Sequence, residues 1–116
     1  MYGDFKLMEG DTHIGNFIIN SEEDVWSYTA VASLDRQPLI FAIQFERTGQ
    51  KTFTGNAVRD WITNRAPEPN YMFIDALLEK VGIKEYDPLA FVAYNGGRFN
   101  TDKFYLVGPG MKEHEW

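Results

Sequence analysis

In Asn70-Tyr71-Met72-Phe73-Ile74-Asp75-Ala76-Leu77-Leu78-Glu79-Lys80-Val81-Gly82-Ile83, the apolar residues Ile74, Leu77, Leu78 and Val81 recur at i, i+3, i+4 and i+7. That spacing is the stripe of an amphipathic helix. Asn70 is a candidate N-cap, Gly82 can adopt the left-handed conformation past the last turn, and Ile83 can fold back as the accompanying apolar contact. Burying four such side chains is worth roughly 1.5 to 3 kcal/mol each, so the helix must lie on a sheet or on another helix. It reads as a core element that carries no chemistry.

The segments before it supply the sheet. Phe5 and Leu7 alternate with Asp4 and Lys6, Gly10-Asp11 offers a turn, and Thr12 to Ile19 is rich in β-formers, which together predict a hairpin. Asn20-Ser21-Glu22-Glu23-Asp24 is a solvated acidic loop, because adjacent like charges repel and prefer water. Val25 to Leu34 places Trp26, Tyr28, Ala30 and Ala32 on one face of a third strand. After the turn Asp35-Arg36-Gln37-Pro38, the nearly continuous apolar run Leu39 to Glu46 reads as the central strand.

Two further helices follow from punctuation. Asn56 to Arg65 has Ala57, Val58, Trp61 and Ile62 at helical spacing with Asn56 as a possible cap, and Pro67 and Pro69 stiffen the link into the next helix. Asp87 to Gly96 fits a buried strand turning at Asn95-Gly96, or a helix with Asp at the cap, Pro at the first position and Gly beyond the end. The punctuation favours the helix. Lys103 to Val107 is a last extended segment. The expected fold is α+β, an antiparallel sheet of about four strands followed by two or three helices packed on one face. Residues 1–107 are expected to form one domain and residues 108–116 a flexible tail.

Composition narrows the function classes. The 116 residues suit one domain, and 44% hydrophobic and 16% aromatic content argues against a disordered chain. With no cysteine, disulfide and thiol chemistry are excluded and a cytoplasmic location is the expectation. No apolar run approaches the roughly 20 residues of a membrane span, and the N-terminus lacks the pattern of a signal peptide, so no membrane partner is expected. A net charge of −6, with no two basic residues adjacent, opposes direct nucleic-acid binding.

The sequence nominates no active site. His13 and His114 lack metal-ligand spacing, and Glu113-His114-Glu115 falls in the expected tail. Ser21, Ser27 and Ser33 lack the context of a nucleophile. Asn95-Gly96-Gly97-Arg98 lacks the Walker spacing and reads as a helix stop followed by a turn. No catalytic residue, metal or cofactor is assigned. The aromatic set Trp26, Tyr28, Phe41, Phe45, Trp61, Phe73, Phe91, Phe104 and Tyr105 reads as mostly core. Trp61 and Tyr71, which flank the proline link, could anchor an interface.

Two stretches carry a family resemblance. Trp61-Ile62-Thr63-Asn64-Arg65-Ala66-Pro67-Glu68-Pro69-Asn70 resembles a pattern of tryptophan, arginine and proline leading into a helix. Gly97-Arg98-Phe99-Asn100-Thr101-Asp102-Lys103-Phe104-Tyr105-Leu106-Val107 is similar to Gly-Leu-Ser-Leu-x-Asp-x-Tyr-Trp-Val, with Gly97, Asp102 and Phe104-Tyr105-Leu106 in matching places and Arg98-Phe99-Asn100 departing from it. With Leu77-Leu78 and Gly82-Ile83 between them, this second half resembles the N-terminal region of HipA-like serine/threonine kinases. The resemblance ends where the kinase core of that family would begin. It therefore implies a recognition or regulatory domain without catalysis, as in split toxin systems whose small subunit acts beside the kinase. The implied partner is a HipA-like kinase or its regulator, and the expected protein-contacting residues are Trp61, Arg65, Tyr71, Asp102 and Tyr105. The rival reading from charge alone is an acidic inhibitor that mimics nucleic acid, which requires Glu22, Glu23, Asp24 and other acids to share one face.

Overall fold

The computed structural model describes residues 1–99 and 101–112. The elements run β1 (Tyr2–Glu9), β2 (Thr12–Asn20), β3 (Val25–Ala30), α1 (Leu39–Thr48), β4 (Thr52–Thr54), α2 (Asn56–Thr63), α3 (Ile74–Val81), α4 (Pro88–Asn95) and β5 (Phe104–Val107), with a single 3-10 turn at Leu34–Arg36 before α1. The five strands form one antiparallel sheet in the order β4-β3-β2-β1-β5. The fold is α+β. The hairpin of β1 and β2 turns at Gly10-Asp11, and the chain returns only at its end to add β5 beside β1.

Alternation along the strands sets the two faces. Phe5, Leu7, Phe17, Ile19, Trp26, Tyr28, Ala30 and Leu106 are buried and meet Phe41, Val58, Ile62, Ala66, Phe91 and Val92 from the helical side. Tyr28 stacks on Phe41 at 4.5 Å between ring centroids, and Phe17 stacks on Trp61 at 5.8 Å. Opposite, Asp4, Lys6 and Ile18 face solvent. A register shift between Leu7 and Met8 bulges the hairpin at Ile14. There the Ile14 carbonyl accepts from Val31 N, Ala32 N and Gln37 Nε2, and the Tyr28 hydroxyl donates to Gln37 Oε1. A Cβ on Gly15 would collide with that hydroxyl, so the bulge needs glycine here. Burial pushes the Tyr28 hydroxyl pKa well above its ordinary value.

The third strand ends at Ala30, short of the expected Leu34, which opens the 3-10 turn, and three readings of the helices need correction. Leu39 to Glu46 is not the central strand but α1, and β2 lies at the middle of the sheet. Phe41 and Phe45, at i and i+4, face inward, while Leu39, Ile40 and Ile43 are exposed, so the run is apolar on both faces and its 3.6 period is masked. Pro38 at the cap and Gly49 in the left-handed conformation, its N–H bonded to Phe45 O at 2.8 Å, bound the helix.

Second, α3 begins at Ile74 and Phe73, with no side-chain acceptor, occupies the cap position, so Asn70 is not its N-cap. Its C-terminus is as the sequence indicates: Gly82 is left-handed, and both Gly82 N and Ile83 N bond Leu78 O. Ile74, Leu77, Leu78 and Val81 are only half-buried, which makes α3 a peripheral element. Third, the cap of α2 is Gly55, and Asn56 is its first helical residue.

The stretch at Asp87 is a helix: the Asp87 side chain accepts from Leu89 N at 3.1 Å, Pro88 opens α4 and Gly96 closes it. Of the expected tail, Gly108 abuts the Phe5 ring and Lys112 N bonds Ala93 O at 2.9 Å. Residues 113–116, with His114 and its acidic neighbours, lie outside the described residues.

Candidate functional site

Four of the five nominated residues lie on α2, just past its end, on the segment entering β5, or in β5 itself. Arg65, which follows the last turn of α2, is 5% exposed, yet four of its N–H donations are placed. Nε donates to Gly97 O at 2.7 Å, Nη1 to Asp102 Oδ2 at 2.7 Å, and Nη2 to Asp102 Oδ1 at 2.8 Å and Phe104 O at 2.9 Å. The guanidinium carbon lies over two rings, 4.3 Å from the Phe99 centroid and 5.1 Å from the Trp61 centroid. A bidentate ion pair combined with two ring contacts suits the arginine fork and not a lysine ammonium. Asp102 Oδ1 also accepts from Phe104 N at 3.0 Å.

This clasp ties the end of α2 to the α4–β5 connection. Gly97 permits the close approach: its φ is +70°, and a Cβ there would sit 3.1 Å from Arg65 Cβ. The buried Asn95 accepts from Gly97 N at 2.8 Å through Oδ1, so the Asn95-Gly96-Gly97 turn is held from within. The Arg65 hydrogen bonds hold the Asp102 carboxyl below the usual carboxylate range, against an opposing effect of burial. Tyr105 is set beside the clasp, its hydroxyl donating to Gly10 O at 2.8 Å and its ring covered by Arg98 at 4.1 Å.

Tyr71 stands apart from this group. Pro67 and Pro69 lead the chain away from Arg65, and the Pro67 carbonyl is fixed by the Tyr86 hydroxyl at 2.7 Å. Backbone bonds Tyr71 N to Glu68 O and Ile74 N to Tyr71 O, each 3.0 Å, close two turns. They present Tyr71, Met72 and Phe73 to solvent at 46%, 83% and 58% exposure, with the Tyr71 and Phe73 rings edge to face at 5.7 Å. Phe73 therefore leaves the expected core set. Sequence reasoning passed over it because an aromatic before an amphipathic helix reads as part of the stripe, and Phe99 because it lies in a turn.

The remaining candidates are quiet. His13 Nε2 is hydrogen-bonded to Gly15 O at 2.9 Å and Asn16 Oδ1 at 2.8 Å. Among the described residues no group of three His, Cys, Asp or Glu could hold a metal, and no buried side-chain nitrogen or oxygen lacks a partner. A shallow groove of about 260 Å³ between α3 and α4 is lined by apolar side chains such as Val81 and Ile83, with Lys112 as its charged group. Glu22, Glu23 and Asp24 are exposed in the β2–β3 turn. No described helix is long and apolar enough to cross a membrane. Compared with known proteins, the chain matches no family model, no curated protein and no solved structure.

Proposed function

We propose that this chain is a non-catalytic protein-binding or regulatory domain of a toxin–antitoxin or phage-defence system, engaging a HipA-like kinase or its regulator. The observation that carries the reading is the exposed Tyr71-Met72-Phe73 segment on a proline-stiffened mount. Contiguous aromatic and methionine side chains left in water lose the free energy of burial until a partner covers them, and such residues dominate the energetics of protein interfaces. Rigidity lowers the entropy cost of that association.

The resemblance contributes the partner class. Its matched residues Trp61, Arg65, Gly97, Asp102 and Phe104 come together in one clasp, as expected of positions that define a shared scaffold. On this reading Arg65 and Asp102 build the mount and Tyr71, Met72 and Phe73 make the contact. Affinity isolation of the tagged chain from native lysate, read by mass spectrometry, is expected to recover a HipA-like kinase or its regulator. A Tyr71→Ser/Phe73→Ser variant is expected to lose it. Recovery of neither protein contradicts the proposal.

A further inference from the structure

The charges around the exposed segment narrow the chemistry of what can cover it. Between Arg65 and Lys80 the chain has no cation and has three exposed acids, Glu68, Asp75 and Glu79; Lys80, also exposed, follows in the last turn of α3. The cation that precedes this stretch, Arg65, is buried and committed to Asp102. Asp87 belongs to the same region: burial and then the negative charges of Glu68 and Asp87 raise the Tyr86 hydroxyl above its ordinary 10.0, and that hydroxyl bonds the Pro67 carbonyl. The exposed Tyr71-Met72-Phe73 segment thus lies along the chain between two exposed carboxylates, Glu68 and Asp75.

That arrangement excludes the commonest alternative occupants. Anionic lipid headgroups and phosphate backbones are repelled by these carboxylates and by the net charge of −6. A second copy would bring the same charges to the same segment. Lys and Arg side chains instead offer both an apolar stem for the aromatic rings and a charge for the carboxylates.

We propose that the Tyr71-Met72-Phe73 surface takes a basic amphipathic peptide segment of its partner, with apolar side chains against the three exposed residues and Lys or Arg against Glu68 and Asp75. This rests on the protein-binding reading above and adds the partner's chemistry. Electrostatic matching of this kind speeds encounter and selects partners, and it weakens as salt shortens the screening length below about 8 Å.

Selection from a random peptide display library against the wild-type chain tests it, with Glu68→Gln/Asp75→Asn and Tyr71→Ser/Phe73→Ser variants run in parallel after their melting temperatures are matched to wild type. Enriched peptides are expected to join an aromatic or aliphatic cluster to two or more Lys or Arg. That basic bias should vanish on Glu68→Gln/Asp75→Asn, and all enrichment on Tyr71→Ser/Phe73→Ser. The affinity of a selected peptide should fall roughly tenfold between 50 and 300 mM NaCl. Peptides without basic bias, bias unchanged on the charge variant, or no enrichment at all would overturn the inference. If the kinase is still captured from lysate in those cases, the functional reading survives alone. A basic consensus with no kinase captured leaves this inference standing and overturns the partner class.

Discussion

Arg65 and Tyr71 stand a few residues apart on one continuous segment, and their side chains have opposite fates. Arg65 carries a full charge and is buried; Tyr71 and its neighbours Met72 and Phe73 are largely apolar and exposed. The arginine is tolerated inside because a carboxylate, two carbonyls and two rings meet its donors and faces. The exposed trio gains nothing comparable from the fold. The difference separates a residue that holds the chain together from residues held out for something else, and polarity alone assigns the two roles the wrong way round.

Removing the clasp should give the largest effect. Arg65→Ala leaves Asp102 and the carbonyls of Gly97 and Phe104 without their donor, a loss of about 3 to 5 kcal/mol. Thermal unfolding should show a melting temperature lower by on the order of 15 °C. A drop of only a degree or two would reduce the clasp to surface decoration.

Asp102→Asn, which keeps the shape and removes the charge, should cost about 2 kcal/mol at neutral pH by urea denaturation. The sign with pH follows from the depressed carboxyl. Because the folded-state pKa lies below the ordinary 3.8, the stabilisation is complete above that value and is lost as pH falls through the folded-state pKa. The stability gap between wild type and Asp102→Asn should therefore be flat from pH 7 to 5 and close at lower pH. A gap that is constant to pH 2 would mean that the carboxylate charge contributes nothing.

Gly97→Ala tests the close approach beneath the guanidinium. Its left-handed backbone, and the 3.1 Å that would separate the new Cβ from Arg65 Cβ, point to a loss of roughly 1 to 2 kcal/mol. The smallest effect is expected on the exposed side: Tyr71→Ser/Phe73→Ser should change stability by no more than about 0.5 kcal/mol. A larger loss would mean that the trio packs into the fold.

Much of the scaffold was legible because local chemistry and tertiary placement agree. Asp87, Pro88 and Gly96 punctuate α4, Gly10-Asp11 turns the first hairpin, and Trp26, Tyr28 and Ala30 alternate as β3 requires. Legibility failed where a face has no internal partner. The outer side of α1 carries Leu39, Ile40 and Ile43, so the helical period disappears into an apolar run of strand length. β4 has three residues, with only Phe53 turned inward, too few to show any period. Arg65 and Asp102 were nominated from their surroundings in sequence, but the bond between them spans 37 positions, and only the fold could reveal that they face each other.

The most direct test of the division between mount and contact is the affinity of the purified Tyr71→Ser/Phe73→Ser chain for the partner protein recovered with wild type, measured at a temperature where both chains are fully folded. Binding weakened at least a hundredfold with an unchanged melting temperature is the expected result. Wild-type affinity in that variant would contradict the account.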